Sequence, residues 1–162
     1  MPQIPQRGPF LLLFALSQQL SALLAQAMAG APLTPADFAV CSALRLMQPT
    51  TLTELAAALG MRPTTLSSAL TRLDQQGHLA RQPNPADGRS RLISLTAAGQ
   101  QATEDCFPAF GSAIKAFRQN LDVPEPPLLA HLEATARALQ AAAGQLAADG
   151  PTGAADGPTA AA

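Results

Sequence analysis

The sequence predicts a mainly α-helical chain interrupted once by a small two-stranded β ribbon. Three observations lead there. Alanine dominates, Trp and Tyr are absent, and apolar residues recur at helical spacing through most of the chain. Between Thr51 and Leu73 two short helical patterns are separated by a turn at Gly60. Directly after them comes a polar hairpin whose tip, residues 83–90, is rich in Pro, Asn, Asp and Gly. Helix, tight turn, helix and β wing, in that order and with helical stretches on both sides, is a winged helix-turn-helix.

The first element runs from Phe10 to Met28 as an amphipathic helix, with Leu13, Leu16, Leu20, Leu23 and Leu24 on one stripe. Arg7, the apolar run from Phe10 to Leu16 and the later Ala27-Met28-Ala29 imitate a signal peptide. Ser17, Gln18 and Gln19 interrupt that run and read as too polar for a membrane span, so a cytoplasmic protein without a membrane partner is expected. The surplus of apolar area on this helix asks for a partner surface. Residues 30–33 form a linker. Thr34-Pro35-Ala36-Asp37 then opens a helix with a cap, a proline in the first turn and a carboxylate near its positive end. Phe38, Cys41, Leu44 and Met47 give that helix its buried face.

Thr51 and Glu54 form a capping box for the next helix, whose apolar face is Leu52, Leu55, Ala56 and Leu59. Gly60 can take a positive φ and let the chain turn sharply. Pro63 restarts the helix, where its missing donor costs nothing. Leu66, Ala69, Leu70 and Leu73 make the buried stripe, which leaves Thr64, Thr65, Ser67, Ser68, Thr71 and Arg72 on the other side. That side is short, polar and suited to the major groove of DNA. Gly77 ends the helix, and Leu79 to Gln82 pairs with Arg91 to Leu95.

The stretch Asp87-Gly88-Arg89-Ser90-Arg91-Leu92-Ile93-Ser94-Leu95-Thr96-Ala97-Ala98-Gly99 resembles the MarR family of bacterial transcriptional regulators. In that family the wing carries an Asp-x-Arg signature and the following helix begins at Leu-Thr-x-x-Gly. The resemblance covers roughly residues 10–147. It implies a sequence-specific, ligand-responsive repressor that acts as a homodimer on a pseudo-palindromic operator in double-stranded DNA, with the N- and C-terminal helices forming the dimer. It further implies that Asp87 orients the wing arginines. Gly88 departs from the family, where a basic residue often stands.

On this reading Thr64, Thr65, Ser67, Ser68 and Arg72 contact bases and phosphates, and Arg89 enters the flanking minor groove. Arg91 contacts phosphate or pairs with Asp87. The recognition helix is poor in long polar side chains, which favours shape and phosphate readout over base readout. The face holding Phe38, Cys41 and Met47, with Phe107, is a candidate pocket for a small-molecule effector, since regulators of the resembled family often bind ligands between the dimer helices and the DNA-binding lobe. An alternative reading is a winged-helix protein-interaction module without DNA binding, for which the near-neutral net charge speaks.

After the wing, Thr96 caps a long helix to about Leu121 that carries Phe107, Phe110, Ile114 and Phe117. Pro108 inside it predicts a bend or local break near Cys106, because an interior proline costs about 3 kcal/mol. Residues 122–127 hold three prolines and predict a sharp break before a last helix from about Leu128 to Ala147. From Asp149 the chain repeats Asp-Gly-Pro-Thr among Ala and Gly, which predicts disorder. The expected organisation is therefore an N-terminal dimerisation helix and linker (1–33), a DNA-binding lobe (34–96), C-terminal dimerisation helices (97–148) and a tail (149–162).

The formal net charge of −1 argues against indiscriminate polyanion binding. Between Arg45 and Leu95, however, six arginines face only Glu54, Asp74 and Asp87, so a positive segment is set in a negative remainder. Cys41 and Cys106 lack metal spacing and any adjacent cation, so neither a zinc site nor a redox switch is predicted. His78 and His131 have no partner at catalytic spacing and no phosphate-cradling glycine motif exists; no enzyme and no cofactor are expected.

Overall fold

The computed structural model describes residues 8–148. Its elements are α1 (Pro9–Ala27), α2 (Pro35–Met47), α3 (Leu52–Leu59), α4 (Pro63–Gln75), β1 (Leu79–Pro83), β2 (Arg91–Leu95), α5 (Ala97–Gln119) and α6 (Glu125–Ala148). The expected fold class is the observed one. The chain divides into two compact units, one ending at Asn120 and one beginning at Leu121. α1 and α5 thus share a unit with the helix-turn-helix and wing, and the boundary falls inside the segment expected as C-terminal helices. The disorder expected from Asp149 onward lies outside the described residues.

Local chemistry sets most of the boundaries. The Thr34 hydroxyl accepts the Asp37 amide and starts α2. At α3 the capping box is complete: Thr51 Oγ1 accepts the Glu54 amide while Glu54 Oε2 accepts the Thr51 amide. Those bonds, led by the Thr51 amide, hold the Glu54 carboxyl below its ordinary range. Gly60 sits at φ 61°, left-handed, and the Met61 amide reaches back to the Ala56 carbonyl, so α3 closes and the chain turns within Met61 and Arg62. The core gathers Phe38, Val40, Cys41 and Leu44 of α2, Leu55 of α3, Leu66, Leu70 and Leu73 of α4, Ile93 of β2 and Cys106 of α5.

β1 and β2 are antiparallel, with Leu79 opposite Leu95 and Pro83 opposite Arg91. Pro83 is tolerated because it ends its strand. Thr50, just before α3, bridges Ile93 on the other edge of β2 with paired backbone bonds of 3.2 and 2.8 Å. The Gln48 side chain accepts the Leu95 amide at 2.8 Å. The wing is therefore fastened to the segment that follows α2 as well as to the recognition helix before it.

Three expectations are corrected. α5 runs continuously through Pro108, so of the bend or local break expected near Cys106 the break does not occur. Proline removes only one helical hydrogen bond, and the packing of Phe107 and Phe110 on Phe38, ring centroids 5.6 and 5.0 Å apart, holds both sides of it in place. α6 begins at Glu125 rather than Leu128, because Pro126 and Pro127 occupy the first turn, where amide donors have no helical partner. α1 is not too polar for a membrane span: it has no charged residue, holds seven leucines and two phenylalanines, and reaches a mean hydropathy of 1.5. Its five uncharged polar residues, Ser17, Gln18, Gln19, Ser21 and Gln26, do not offset that composition. Its C-terminal end is nevertheless engaged in the fold, where Met28 is buried in the core and Leu24 faces Phe38 and Phe107 across a small cavity.

Candidate nucleic-acid interface

The buried stripe of α4, Leu66, Ala69, Leu70 and Leu73, turns its opposite face outward, and Thr64, Thr65, Ser67, Ser68, Thr71 and Arg72 are all exposed on it. Two of these hydroxyls are spent on their own helix, with Ser68 Oγ donating to the Thr64 carbonyl at 3.2 Å and Thr71 Oγ1 to the Ser67 carbonyl at 2.9 Å. Those of Thr64, Thr65 and Ser67 have no hydrogen-bond partner among the described residues. Arg72 is tied down as well. Its guanidinium donates to Asp37 Oδ1 at 2.6 Å; Asp37 is 4% exposed while Arg72 is 51% exposed. Asp37 also accepts the Thr34 hydroxyl at 2.9 Å. Arg72 is thus a strut between the recognition helix and the start of α2, with part of its guanidinium still open to solvent.

The wing tip is built by hydrogen bonds among small polar residues. Asn84 Oδ1 accepts the Ala86 amide at 3.0 Å, and Asn84 Nδ2 donates to Ser90 Oγ at 2.8 Å. Asp87 Oδ1 accepts the backbone amide of Arg89 at 3.0 Å. Asp87 therefore fixes the backbone beneath Arg89 and makes no ion pair with Arg91, the pairing that its spacing had also allowed. The Leu-Thr-x-x-Gly segment anchors the other end of the ribbon. The Thr96 hydroxyl donates to the Gly77 carbonyl at 2.7 Å and accepts the Gly99 amide at 3.1 Å, while its own amide bonds to the His78 carbonyl at 3.0 Å. A Cβ on Gly99 would overlap that same His78 carbonyl, so only glycine fits.

Among the described residues, ion pairs engage three of the six arginines in this segment. Arg45 meets Glu104 at 3.6 Å, Arg72 meets Asp37, and Arg81 meets Asp74 at 3.2 Å. Arg62, Arg89 and Arg91 have no such partner and are exposed. Arg62 is the N-cap position of α4, whose first turn has no side-chain cap. Open amide donors, the positive end of the helix dipole and a free guanidinium thus coincide where a phosphate would sit. The sequence reading passed over Arg62. Its signal was available, since a cation directly before the proline that starts a recognition helix has no internal carboxylate to meet.

A second feature lies where α1, α2 and α5 meet. A cavity of about 220 Å³ is lined by Leu24, Met28, Pro35, Phe38, Ala39, Ser42, Phe107 and Phe110. Phe38 and Phe107, expected at a ligand pocket, line it; Cys41 and Met47 do not. Cys41 faces inward, fully buried, and Met47 packs on the core farther along α2. Ser42 and Phe110 were not anticipated. Burial pushes the Cys41 thiol up to about 11, with a hydrogen bond from Thr103 acting the other way, and burial also raises the Cys106 thiol. Neither is a ready thiolate.

Comparison with known proteins agrees with this geometry. A model of the MarR family matches residues 31–90. The multiple antibiotic resistance protein MarR of Escherichia coli strain K12 is 30% identical over 122 residues, covering 75% of this chain and 85% of that protein. The chain belongs to the MarR family. Its relatives are winged-helix transcriptional regulators, not enzymes. A crystal structure of mutant MarR from E. coli complexed with operator DNA superposes with a TM-score of 0.69 at 29% identity, covering 76% of this chain and 89% of that one. Bordetella bronchiseptica BpsR, whose DNA binding is regulated by 6-hydroxynicotinic acid, superposes at 0.72 with 25% identity, covering 83% and 96% of the two chains. Uncharacterised HTH-type transcriptional regulators of Bacillus cereus are 37% identical over 76 residues, and there the match spans 47% of this chain and half the length of the relative.

Proposed function

We propose that this MarR-family chain is a cytoplasmic, ligand-responsive repressor that binds a pseudo-palindromic operator as a homodimer. The observation that carries the reading is the exposure of three unpaired arginines, Arg62 at the start of α4 and Arg89 and Arg91 on the wing, together with the short polar face of α4. α4 enters the major groove, with Thr64, Thr65 and Ser67 toward base edges and Arg62 and the open part of Arg72 toward phosphate. Arg89, its backbone held by Asp87, reaches the flanking minor groove, and Arg91 takes phosphate. Three exposed arginines and few long polar side chains favour shape and phosphate readout.

The homodimer is supported by the apolar side chains that α1 leaves in solvent, Phe10 at 75% and Phe14 at 63% exposure among them, and by Leu129, Leu132, Leu139 and Leu146 on α6. The effector is supported by the cavity beside Phe38 and Phe107. Gel shifts on the intergenic DNA upstream of the chain's own coding region, run at several salt concentrations, test the whole. Affinity should fall steeply with salt, and Arg89→Ala should weaken binding about tenfold and reduce the salt slope by about 1. Unchanged binding in Arg89→Ala would sink the wing assignment.

A further inference from the structure

We propose that Asp37 is a positioning residue for DNA reading: it holds one nitrogen of the Arg72 guanidinium so that the remaining donors meet a backbone phosphate and set the register of α4 in the groove. The role rests on the DNA-binding reading above and gives α2 a part in it. Asp37 itself is withdrawn from the surface. Its side chain is 4% exposed, against 51% for Arg72. Both of its oxygens are engaged, Oδ1 by Arg72 Nη2 at 2.6 Å and Oδ2 by the Thr34 hydroxyl at 2.9 Å, and its own amide returns to the Thr34 oxygen at 3.2 Å. The carboxylate is therefore fixed before any duplex arrives.

Burial decides how Arg72 answers a phosphate. Drawing the guanidinium away would strand a buried carboxylate without its counter-charge, so the pair stays closed as the duplex approaches. Arginine can serve both partners at once, because its donors lie in a planar fork and only Nη2 faces Asp37. The rotamer freedom of a long side chain is thus already lost in the free protein, and the contact is preorganised. Place along the helix says which contact it is. Arg72 shares one stripe of the exposed face with Thr65 and Ser68, about 10 Å beyond Thr65 at 1.5 Å per residue. The first residues of a recognition helix read base edges; about two turns further on, a guanidinium faces the groove wall, where the phosphates lie. A phosphate contact carries no sequence information of its own but fixes register and orientation. Arg62, Arg89 and Arg91 supply free charge, whereas Arg72, offset by Asp37, supplies alignment.

Anisotropy titrations of the full chain on the upstream intergenic duplex and on a shuffled duplex of the same composition test this. Asp37→Asn should lower affinity for the intergenic duplex about tenfold, the effect of one hydrogen bond to a charged group. Affinity for the shuffled duplex should hold or rise, because the variant has lost a negative charge. Arg72→Lys keeps a cation against Asp37 and with it the fold, yet a single ammonium cannot fix two partners; it should lose the same factor on the intergenic duplex alone. In an Arg72→Met background, Asp37→Asn should cause no further loss of discrimination. Equal losses on both duplexes in Asp37→Asn, with Arg72→Lys at parental affinity, overturn the positioning role and leave Asp37 a purely structural residue. A gain on both duplexes overturns it too, by making Asp37 an electrostatic brake. In either case Arg89→Ala still weakens binding and the DNA-binding reading stands. If the parental chain does not distinguish the two duplexes and Arg89→Ala binds as the parent does, that reading falls and the role of Asp37 with it.

Discussion

The segment from Thr50 to Gly99 and the junction of α1, α2 and α5 are held by different forces. In the first, almost every change of direction is pinned by a directed polar bond: the capping box at Thr51, the Asn84 and Asp87 turns of the wing tip, the Thr96 hydroxyl on Gly77, and Thr50 on Ile93. In the second, three phenylalanines lean on one another around unfilled volume, beside an unsatisfied serine hydroxyl. Directed bonds fix a geometry, whereas apolar contacts tolerate repacking at modest cost. The segment from Thr50 to Gly99 is thus fixed by directed bonds while the junction is the more tolerant of repacking, and the Asp37–Arg72 pair joins them.

That contrast can be attacked at several points. Gly99→Ala should do most damage, because its methyl meets backbone rather than a movable side chain; a loss of about 3 kcal/mol is expected in a urea titration, and parental stability would show that the wing anchor is loose. Breaking the link between the regions should cost less. Asp37→Asn and Arg72→Met should each destabilise by about 1–2 kcal/mol and fail to add, with a coupling of about 1 kcal/mol in a double-mutant cycle; additive effects would separate the regions. A third test is a pH effect inside the core, confined to alkaline solution. The folded Cys41 pKa is raised from its ordinary 9.0 to about 11, so its contribution is complete below pH 9 and is lost as pH rises toward 11. Thermal melts should show that decline, and Cys41→Val should flatten it.

Legibility in the sequence followed the range of the interaction. Caps at Thr34, Thr51 and Thr96 and the turn at Gly60 lie within a few residues of their partners, and the two strands of the ribbon are joined by one short tip; each was readable. Pro108 misled because propensity is local while the aromatic contacts that carry α5 across it come from α2. Arg72 was read only as a DNA contact, since its partner Asp37 lies 35 residues away and looked fully used as a helix-start carboxylate. Ser42 and Phe110 carry no linear signature. They belong to the cavity only because α2 and α5 cross there.

α2 touches both regions. Pro35 and Phe38 in its first turns form part of the cavity wall, and just past its last residue Gln48 and Thr50 hold β2 of the wing. Its 13 residues give a rod about 20 Å long at 1.5 Å per residue. A tilt of about 6° in a rod of that length displaces one end by about 2 Å relative to the other, enough to break a hydrogen bond. A guest that wedges the cavity open would therefore work α2 as a rocker, pulling on Arg72 through Asp37 at one end and on the wing through Gln48 at the other. Both α4 and the wing would lose their registration in a single stroke.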